Sequence, residues 1–481
     1  MQIKDLQPSI VWEQFDAITK IPRPSKKEGK IIEFLIDFAQ QHNLEWQRDA
    51  IGNVVMRKPA TAGYEDRPTI ILQSHMDMVC EKNSDVVFDF DNDAIRTKID
   101  GEWVKAEGTT LGADCGIGMA AAMAMLIDES VEHGPLEALF TVDEETGLTG
   151  AFELGEGMLT GKYLVNLDSE DEGEIFIGCA GGVDTVATFK LTEEAAPEGY
   201  CYYRVDVKDL LGGHSGDDIN KGRANSNKLI ARLMLSAQEQ FGARVGRIEG
   251  GNLRNAIPRE AYAVVGVPAE NRAAFEELVH SYTANVKATF AATEPDMNIT
   301  LHHVDGITDL LTQDLQSRLL TALVWVPNGV IDMSQVMEGL VETSTNLASV
   351  KFIGEDIVVT TSQRSSVESS KLAVKESVHA CFANSGADVE HSDGYPGWAP
   401  NPDSHLLRVT VESYERLFGK TPIVRAVHAG LECGLFLEKY PHLEMVSFGP
   451  TIRGVHSPDE RLEIATVEKF WLHLKDVVKA I

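Results

Sequence analysis

The amino-acid sequence predicts an α/β fold: a mainly parallel sheet with helices on both faces, interrupted by an inserted α+β domain. Three observations carry this. Apolar runs of strand length (Thr69–Leu72, Pro135–Val142, Lys162–Leu167) alternate with segments of helical periodicity, the pattern that builds parallel sheets. Each run is followed by chemistry-bearing residues, at His75, at Asp143-Glu144-Glu145 and at Asp168. Ligands of such sheets lie outside the carboxyl ends of the strands. Finally, the pattern changes after Cys179-Ala-Gly-Gly182 and returns after Gly394-Tyr-Pro-Gly-Trp398. The expected division is 1–182 and 393–481 for the sheet domain and 183–392 for the insert.

In chain order, residues 8–20 have helical periodicity closed by Ile21-Pro-Arg-Pro-Ser25, and a second amphipathic helix spans about 27–42. Trp46–Arg57 alternates as strand about a turn at Gly52-Asn53. After the strand ending at His75 comes a polar, Asp-rich connection, Glu81–Asp100. A helix begins near Met119. In the insert, strands are expected at Tyr202–Asp209, Ala261–Val267, 344–352 and 356–362, and helices at 223–240, 271–291 and 366–384. The returning sheet domain holds a helix near 403–418, the strand Leu443–Phe448 and a closing helix over 465–480.

Composition excludes several functions. The 481 residues carry 74 acidic and 43 basic side chains, a net charge of −31, which argues against nucleic acid because phosphates need a basic surface. No window of about 18 apolar residues predicts a membrane span, and the N-terminus lacks the pattern of a signal peptide. The six cysteines are scattered without a Cys-x-x-Cys pair, as expected of free thiols in a reducing compartment. A cytoplasmic location is the expectation.

His75 and Asp77 stand two residues apart at a strand end, so in extended chain they point the same way. Asp77 is thus placed to orient a metal-bound imidazole; an ordinary strand-end histidine is the alternative. Asp114 stands on the glycine-rich loop Gly108-Thr-Thr-Leu-Gly-Ala-Asp-Cys-Gly-Ile-Gly just before a helix. It reads as a helix N-cap. A phosphate cradle is set aside, because the loop lacks Lys-Ser/Thr and a carboxylate at its centre repels phosphate.

The segments Ser74-His-Met-Asp-Met-Val, the Asp114 loop, Asp143-Glu-Glu-Thr-Gly, Asn166-Leu-Asp-Ser-Glu, Gly212-Gly-His-Ser-Gly, Arg254-Asn-Ala-Ile-Pro-Arg, His428-Ala-Gly-Leu-Glu-Cys-Gly and Gly449-Pro-Thr-Ile-Arg-Gly-Val-His-Ser-Pro-Asp-Glu occur in this order. Together they resemble the zinc dipeptidase and aminoacylase family of co-catalytic metallohydrolases over nearly the whole chain. The resemblance implies a di-zinc exopeptidase-like domain with an inserted lid. It also implies two zinc ions (manganese or cobalt being possible), one held by His75 and Asp168, the other by Glu145 and His456, with Asp114 bridging. Two metals about 3.5 Å apart share and acidify one water. Glu144 resembles the general base, and Asp77 the residue orienting His75. His214 resembles a lid histidine that reaches the partner subunit's site in family homodimers and stabilises the oxyanion. Asn255 resembles a substrate contact and Arg364 the anchor of a substrate C-terminal carboxylate; alternatives are a turn histidine for His214 and a surface ion pair for Arg364. Glu432 lines the substrate pocket or belongs to a packing loop.

The activity implied is hydrolysis of Xaa-His dipeptides, including β-alanyl-histidine, and of other dipeptides. N-acyl-amino-acid hydrolysis and non-catalytic metal-dependent binding are the alternatives, and the free carboxylate of Glu144 beside a ligand favours an enzyme. Two positions depart from the family pattern. Cys115 follows Asp114 where close relatives read Asp-Asn-Gly, implying oxidation sensitivity. The run before Arg364, Thr360-Thr-Ser-Gln363, is more polar than expected.

Overall fold

A computed structural model describes residues 2–481. Contacts divide the chain into two compact units. The first comprises the chain up to Gly178, Pro400–Ala426 and Leu431–Ile481; the second comprises Cys179–Ala399 and Val427–Gly430. Compared with the expected breaks at 182/183 and 392/393, the units divide at 178/179 and 399/400. The short return Val427–Gly430, which the sequence pattern did not suggest, goes with the insert.

The first unit opens with α1 (Ser9–Ile18) and α2 (Gly29–Gln41). Val11, Trp12, Phe15 and Ile18 form the buried stripe of α1, and Ile31, Ile32, Leu35 and Phe38 that of α2, the spacing of an amphipathic helix. Strands follow at β1 (Glu45–Arg48), β2 (Val54–Lys58), β3 (Ile70–His75), β4 (Thr97–Asp100), β5 (Trp103–Ala106), β6 (Leu136–Thr141), β7 (Tyr163–Asn166) and β8 (Glu174–Cys179), with α3 (Ala113–Ile127) between β5 and β6. The main sheet runs β1-β2-β6-β3-β7, then Glu444–Ser447, β8 and Ile423–Val427. Its centre is parallel: β6, β3, β7 and Glu444–Ser447 pair in one direction. Antiparallel pairing flanks it, with β1 on β2, β2 on β6 and β8 on Glu444–Ser447. Every residue of β3, β6 and β7 is buried, as in strands covered on both faces. The Ala-, Gly- and Met-rich α3 is buried nearly all round and packs against both α1 and β3.

The expected polar connection Glu81–Asp100 is corrected at its end. Thr97–Asp100 is a strand, β4, forming a hairpin with β5; it alternates half-buried and exposed residues and so lacks an apolar run to betray it. With Arg461–Glu463 and Ile452–Arg453 these strands make a four-stranded sheet. That sheet joins the chain entering the Asp114 loop to the two strands that bracket His456.

The second unit is a nine-stranded sheet whose recorded pairings are all antiparallel. Its order is Asn298–His303, Tyr200–Lys208, Ala261–Pro268, Arg244–Gly250, Val341–Ile353, Asp356–Ser365, Gly181–Lys190 and Asp388–His391, with Gly329–Met333 also on Val341–Ile353. Helices Ser226–Phe241, Gln313–Trp325 and Glu368–Asn384 contribute to its core. The first of these is capped by Asn225, whose side chain accepts from Lys228 N–H. No helix among the described residues is long and apolar enough to cross a membrane, and none of the six cysteines is in a disulfide.

Candidate metal centre

The ends of β3, β6 and β7 and two loops bring the expected residues of the first unit together. His75 Nε2 lies 3.1 Å from Asp114 Oδ1 and 3.4 Å from Asp168 Oδ1. His456 Nε2 lies 3.2 Å from the other Asp114 oxygen, Oδ2, and 3.0 Å from Glu145 Oε2. One carboxylate therefore faces two imidazoles, each with a second carboxylate beside it. Asp114 has an extended φ/ψ of −81°/116° at the kink that opens α3, and its two carboxylate oxygens face the imidazoles. His456 sits at φ +59°, an uncommon conformation for a side-chain-bearing residue.

Asp77 is fully buried behind His75, its Oδ1 3.3 Å from Nδ1. It also accepts from Ser25 Oγ at 2.8 Å, Glu144 N–H at 3.0 Å and Glu145 N–H at 3.3 Å. Asp77 therefore positions both the imidazole and the backbone of the Glu144-Glu145 turn.

The electrostatics call for positive charge between these groups. Hydrogen bonding to Asp114 and Glu145, against some burial, raises His456 to about 11. His75 is held well above the imidazole range, its burial being outweighed by Asp168, Asp114 and Asp77. Burial, opposed by His75 and reinforced by Asp114, puts Asp168 at about 6. Asp168 Oδ1 and Glu145 Oε1 are buried without hydrogen-bond partners, and buried polar atoms are ordinarily satisfied. Imidazole and carboxylate donors with unsatisfied oxygens fit a pair of divalent cations.

Glu144 is recessed beside this cluster. Burial, opposed by His75 and reinforced by Asp168, Glu432 and Glu145, pushes its carboxyl well above the usual range. Glu432 is also buried: its Oε2 accepts from Gln73 Nε2 at 2.6 Å and Thr141 Oγ1 at 2.9 Å, while Oε1 has no partner. Gln73 continues to Asn166 at 2.5 Å, and Asn166 accepts from Ser447. A polar ladder thus crosses the sheet beneath the site and fixes Glu432. Cys115 donates to Leu167 O at 3.4 Å, and burial raises its thiol well above the ordinary value. Burial of this kind goes with lower thiol reactivity.

In the second unit, the two-residue strand Gly213–His214 pairs with Ala256–Ile257, and Ser215 N–H donates to Asn255 O at 2.8 Å. The Asn255 side chain is exposed. Arg364 lies within the strand Asp356–Ser365, only 7% exposed, so a surface ion pair does not describe it. It donates to Tyr395 Oη at 3.1 Å, and its Nε is buried without a partner. The polar run before it is internally satisfied: Gln363 donates to Thr361 Oγ1 at 2.7 Å and accepts from Thr185 Oγ1 at 2.7 Å. Buried His428, given no role by the sequence pattern, meets Ser344 Oγ at 2.7 Å through Nε2 and leaves Nδ1 unpartnered.

The model of Peptidase family M20/M25/M40 matches residues 71–479. The chain belongs to this family. Along 480 residues it is 43% identical to the "Cytosol non-specific dipeptidase" of Escherichia coli (strain K12), covering 100% of this chain and 99% of the relative. The crystal structure of aminoacylhistidine dipeptidase from Vibrio alginolyticus superposes with a TM-score of 0.96 at 43% identity, covering 100% of this chain and 98% of that one. Aminopeptidase PepT from Bacillus cereus ATCC 10987 shares the fold at a TM-score of 0.57 and 17% identity, over 98% of both chains.

As an M20 peptidase the chain is a hydrolase. Two buried charged residues beside the cluster were given no role by the sequence pattern, Arg23 and Glu460. The Arg23 guanidinium, 2% exposed, donates to Met76 O, Asp77 O and Gly112 O. Its Pro-Arg-Pro surroundings looked like no more than a helix stop. Gly112, at φ +71°, lies so close that a Cβ there would meet Arg23 Nη2 at 2.6 Å and Met78 Sδ at 2.9 Å. Gly112→Ala is expected to destabilise the protein by about 1–3 kcal/mol. Thermal unfolding should register a melting temperature lower by a few degrees, together with weaker metal retention.

Proposed function

We propose that this M20 member is a dipeptidase that holds two divalent metal ions, zinc or alternatively manganese or cobalt. Its substrates are Xaa-His dipeptides, β-alanyl-histidine among them, and other dipeptides with a free C-terminal carboxylate. The observation that carries the proposal is Asp114, whose two oxygens face His75 and His456 at 3.1 and 3.2 Å. His75 with Asp168 and Glu145 with His456 would hold the separate ions and Asp114 both. When bound, the metals supply Lewis acidity and an acidified water. Support for the substrate class comes from the 43% identity to the two relatives bearing dipeptidase names.

Glu144 takes the proton of the water whose oxygen adds to the peptide carbonyl carbon. It then passes that proton to the departing amine nitrogen as the C–N bond breaks. Its raised proton affinity suits a group that both accepts and donates. His214 Nδ1 accepts from Gly216 N–H and Asp217 N–H at 3.2 and 3.3 Å. Its ring proton therefore sits on Nε2, free to be donated to an oxyanion. In a homodimer formed through the inserted unit, that donor serves the partner subunit's centre. Arg364, with a buried unpaired Nε, takes the substrate carboxylate; Asn255 contacts the backbone and Glu432 shapes the pocket floor. The cytosolic label of the E. coli relative supports the same location here.

Metal-depleted protein, titrated with zinc, manganese or cobalt, is expected to regain hydrolysis of β-alanyl-histidine and leucyl-histidine near two metals per chain. Loss of those activities with full metal occupancy, and gain on N-acylated amino acids, would overturn the dipeptide assignment. Arg364→Ala is expected to lower kcat/KM about 10- to 100-fold, because a hydrogen bond to a charged group contributes about 1.5–3 kcal/mol. The loss should vanish when substrates are compared as C-terminal amides.

A further inference from the structure

The glycine-rich loop Leu111–Asp114 is an anion cradle already filled from within the chain. Glu460 Oε2 accepts from Leu111 N–H at 2.7 Å and Gly112 N–H at 2.9 Å; Oε1 accepts from Ala113 N–H at 2.7 Å and Asp114 N–H at 3.3 Å. Consecutive backbone N–H groups converging on one point form an anion-binding nest. The nest includes the start of α3, where N–H groups have no partners of their own. Glu460 is 2% exposed, so no external anion competes for the position. Arg23 completes the arrangement from the other side. By donating to Met76 O, Asp77 O and Gly112 O it ties the end of β3, which carries His75, to the loop that carries Asp114.

Three segments that carry proposed ligands are therefore fastened by two buried side chains that are not expected ligands. The fastening opposes a definite force. The carboxylates of Asp114, Asp168, Glu145 and Asp77 converge here with only the imidazoles of His75 and His456 between them, so without a cation a surplus of like charge remains and repels. A glycine-rich loop left to itself would spread to relieve that repulsion, and each metal would then have to reorder it on binding.

We infer that Glu460 and Arg23 are positioning residues that set the Asp114 loop in its ligand-presenting shape before any metal arrives. The inference rests on the metal-centre proposal above. Its consequence is that metal binding does not order this loop; the loop is ordered already, and affinity gains by the entropy not lost. Removing groups that orient ligands typically weakens metal affinity 10- to 100-fold.

The test is hydrogen–deuterium exchange on the full chain, metal-depleted and zinc-loaded, followed in peptides covering 109–116, with zinc counted in parallel. The expected result is slow exchange of the 111–114 amides in both forms. In Glu460→Gln these amides should exchange at least about 10-fold faster in the metal-depleted form, and zinc should bind about 10- to 100-fold more weakly. Exchange in the remote strand Ala261–Pro268 should stay unchanged, which separates positioning from general destabilisation. Glu460→Asp, which keeps the charge, should recover part of both losses. Fast exchange in metal-depleted wild type that slows only with zinc would overturn the inference without any variant. So would a Glu460→Gln protein with native protection and native zinc affinity, or one whose exchange rises equally everywhere. A wild-type chain that binds no zinc would instead sink the metal-centre proposal while leaving amide protection to be read on its own.

Discussion

Glu144→Ala is expected to reduce turnover by about 10³-fold, in the middle of the range for a lost general acid–base group, while both metals stay bound. The backbone of this turn is held by Asp77, which accepts from Glu144 N–H and Glu145 N–H. Removing the Glu144 side chain therefore leaves Glu145 in place against His456. The substrate KM should change little, since proton transfer is used in the transition state rather than in binding. Metal analysis and steady-state kinetics on one preparation decide the matter. Loss of one metal with the activity would mean that Glu144, not Glu145, is the ligand.

The second large effect is expected at Asp114. His456→Ala should weaken one metal position and leave the other near native, because His75 and Asp168 remain. Asp114→Ala should strip both, since its two oxygens face both imidazoles. Bound metal well below one per chain and no measurable hydrolysis are the expected outcomes for Asp114→Ala. Retention of one tightly bound metal would show that Asp114 serves a single position. The variant should still fold, because the nest under this residue is made by backbone N–H groups and Glu460.

Local spacing made much of the centre legible. His75 and Asp77 are two apart in extended chain, and Glu144, Glu145 and Asp168 end apolar runs that became the buried parallel strands. What escaped lies in contacts between distant residues. Glu460 and the Asp114 amide are separated by 346 positions, and neither end announces the other. The ladder Gln73–Asn166–Ser447 consists of polar residues at strand ends, which by themselves look like ordinary termini; only strand order makes them neighbours. β4 was read as part of a loop because its half-exposed alternation carries no apolar run. The strand Gly181–Lys190 and the helix Gln313–Trp325 were not identified at all: the first was hidden in the change of pattern after Cys179, while the second had periodic burial but no cap or breaker that drew notice. A surface ion pair was left open as the alternative for Arg364 because the expected strand ended three residues too early; its polar neighbours pair with one another inside the sheet.

The position of Glu444–Ser447 in the main sheet bears on how the protein is made. It fills the slot between β7 and β8, yet it leaves the ribosome only after the whole inserted unit. Until then β7 presents an open edge, and unpaired strand edges invite association between chains. His456 and Glu460 arrive later still, so until then the nascent chain lacks two residues of the proposed centre and its supporting loop. On the proposed ligand set, a chain interrupted anywhere before residue 456 would lack one of the two imidazoles of the centre. Contacts of such long sequence separation also make for slow folding.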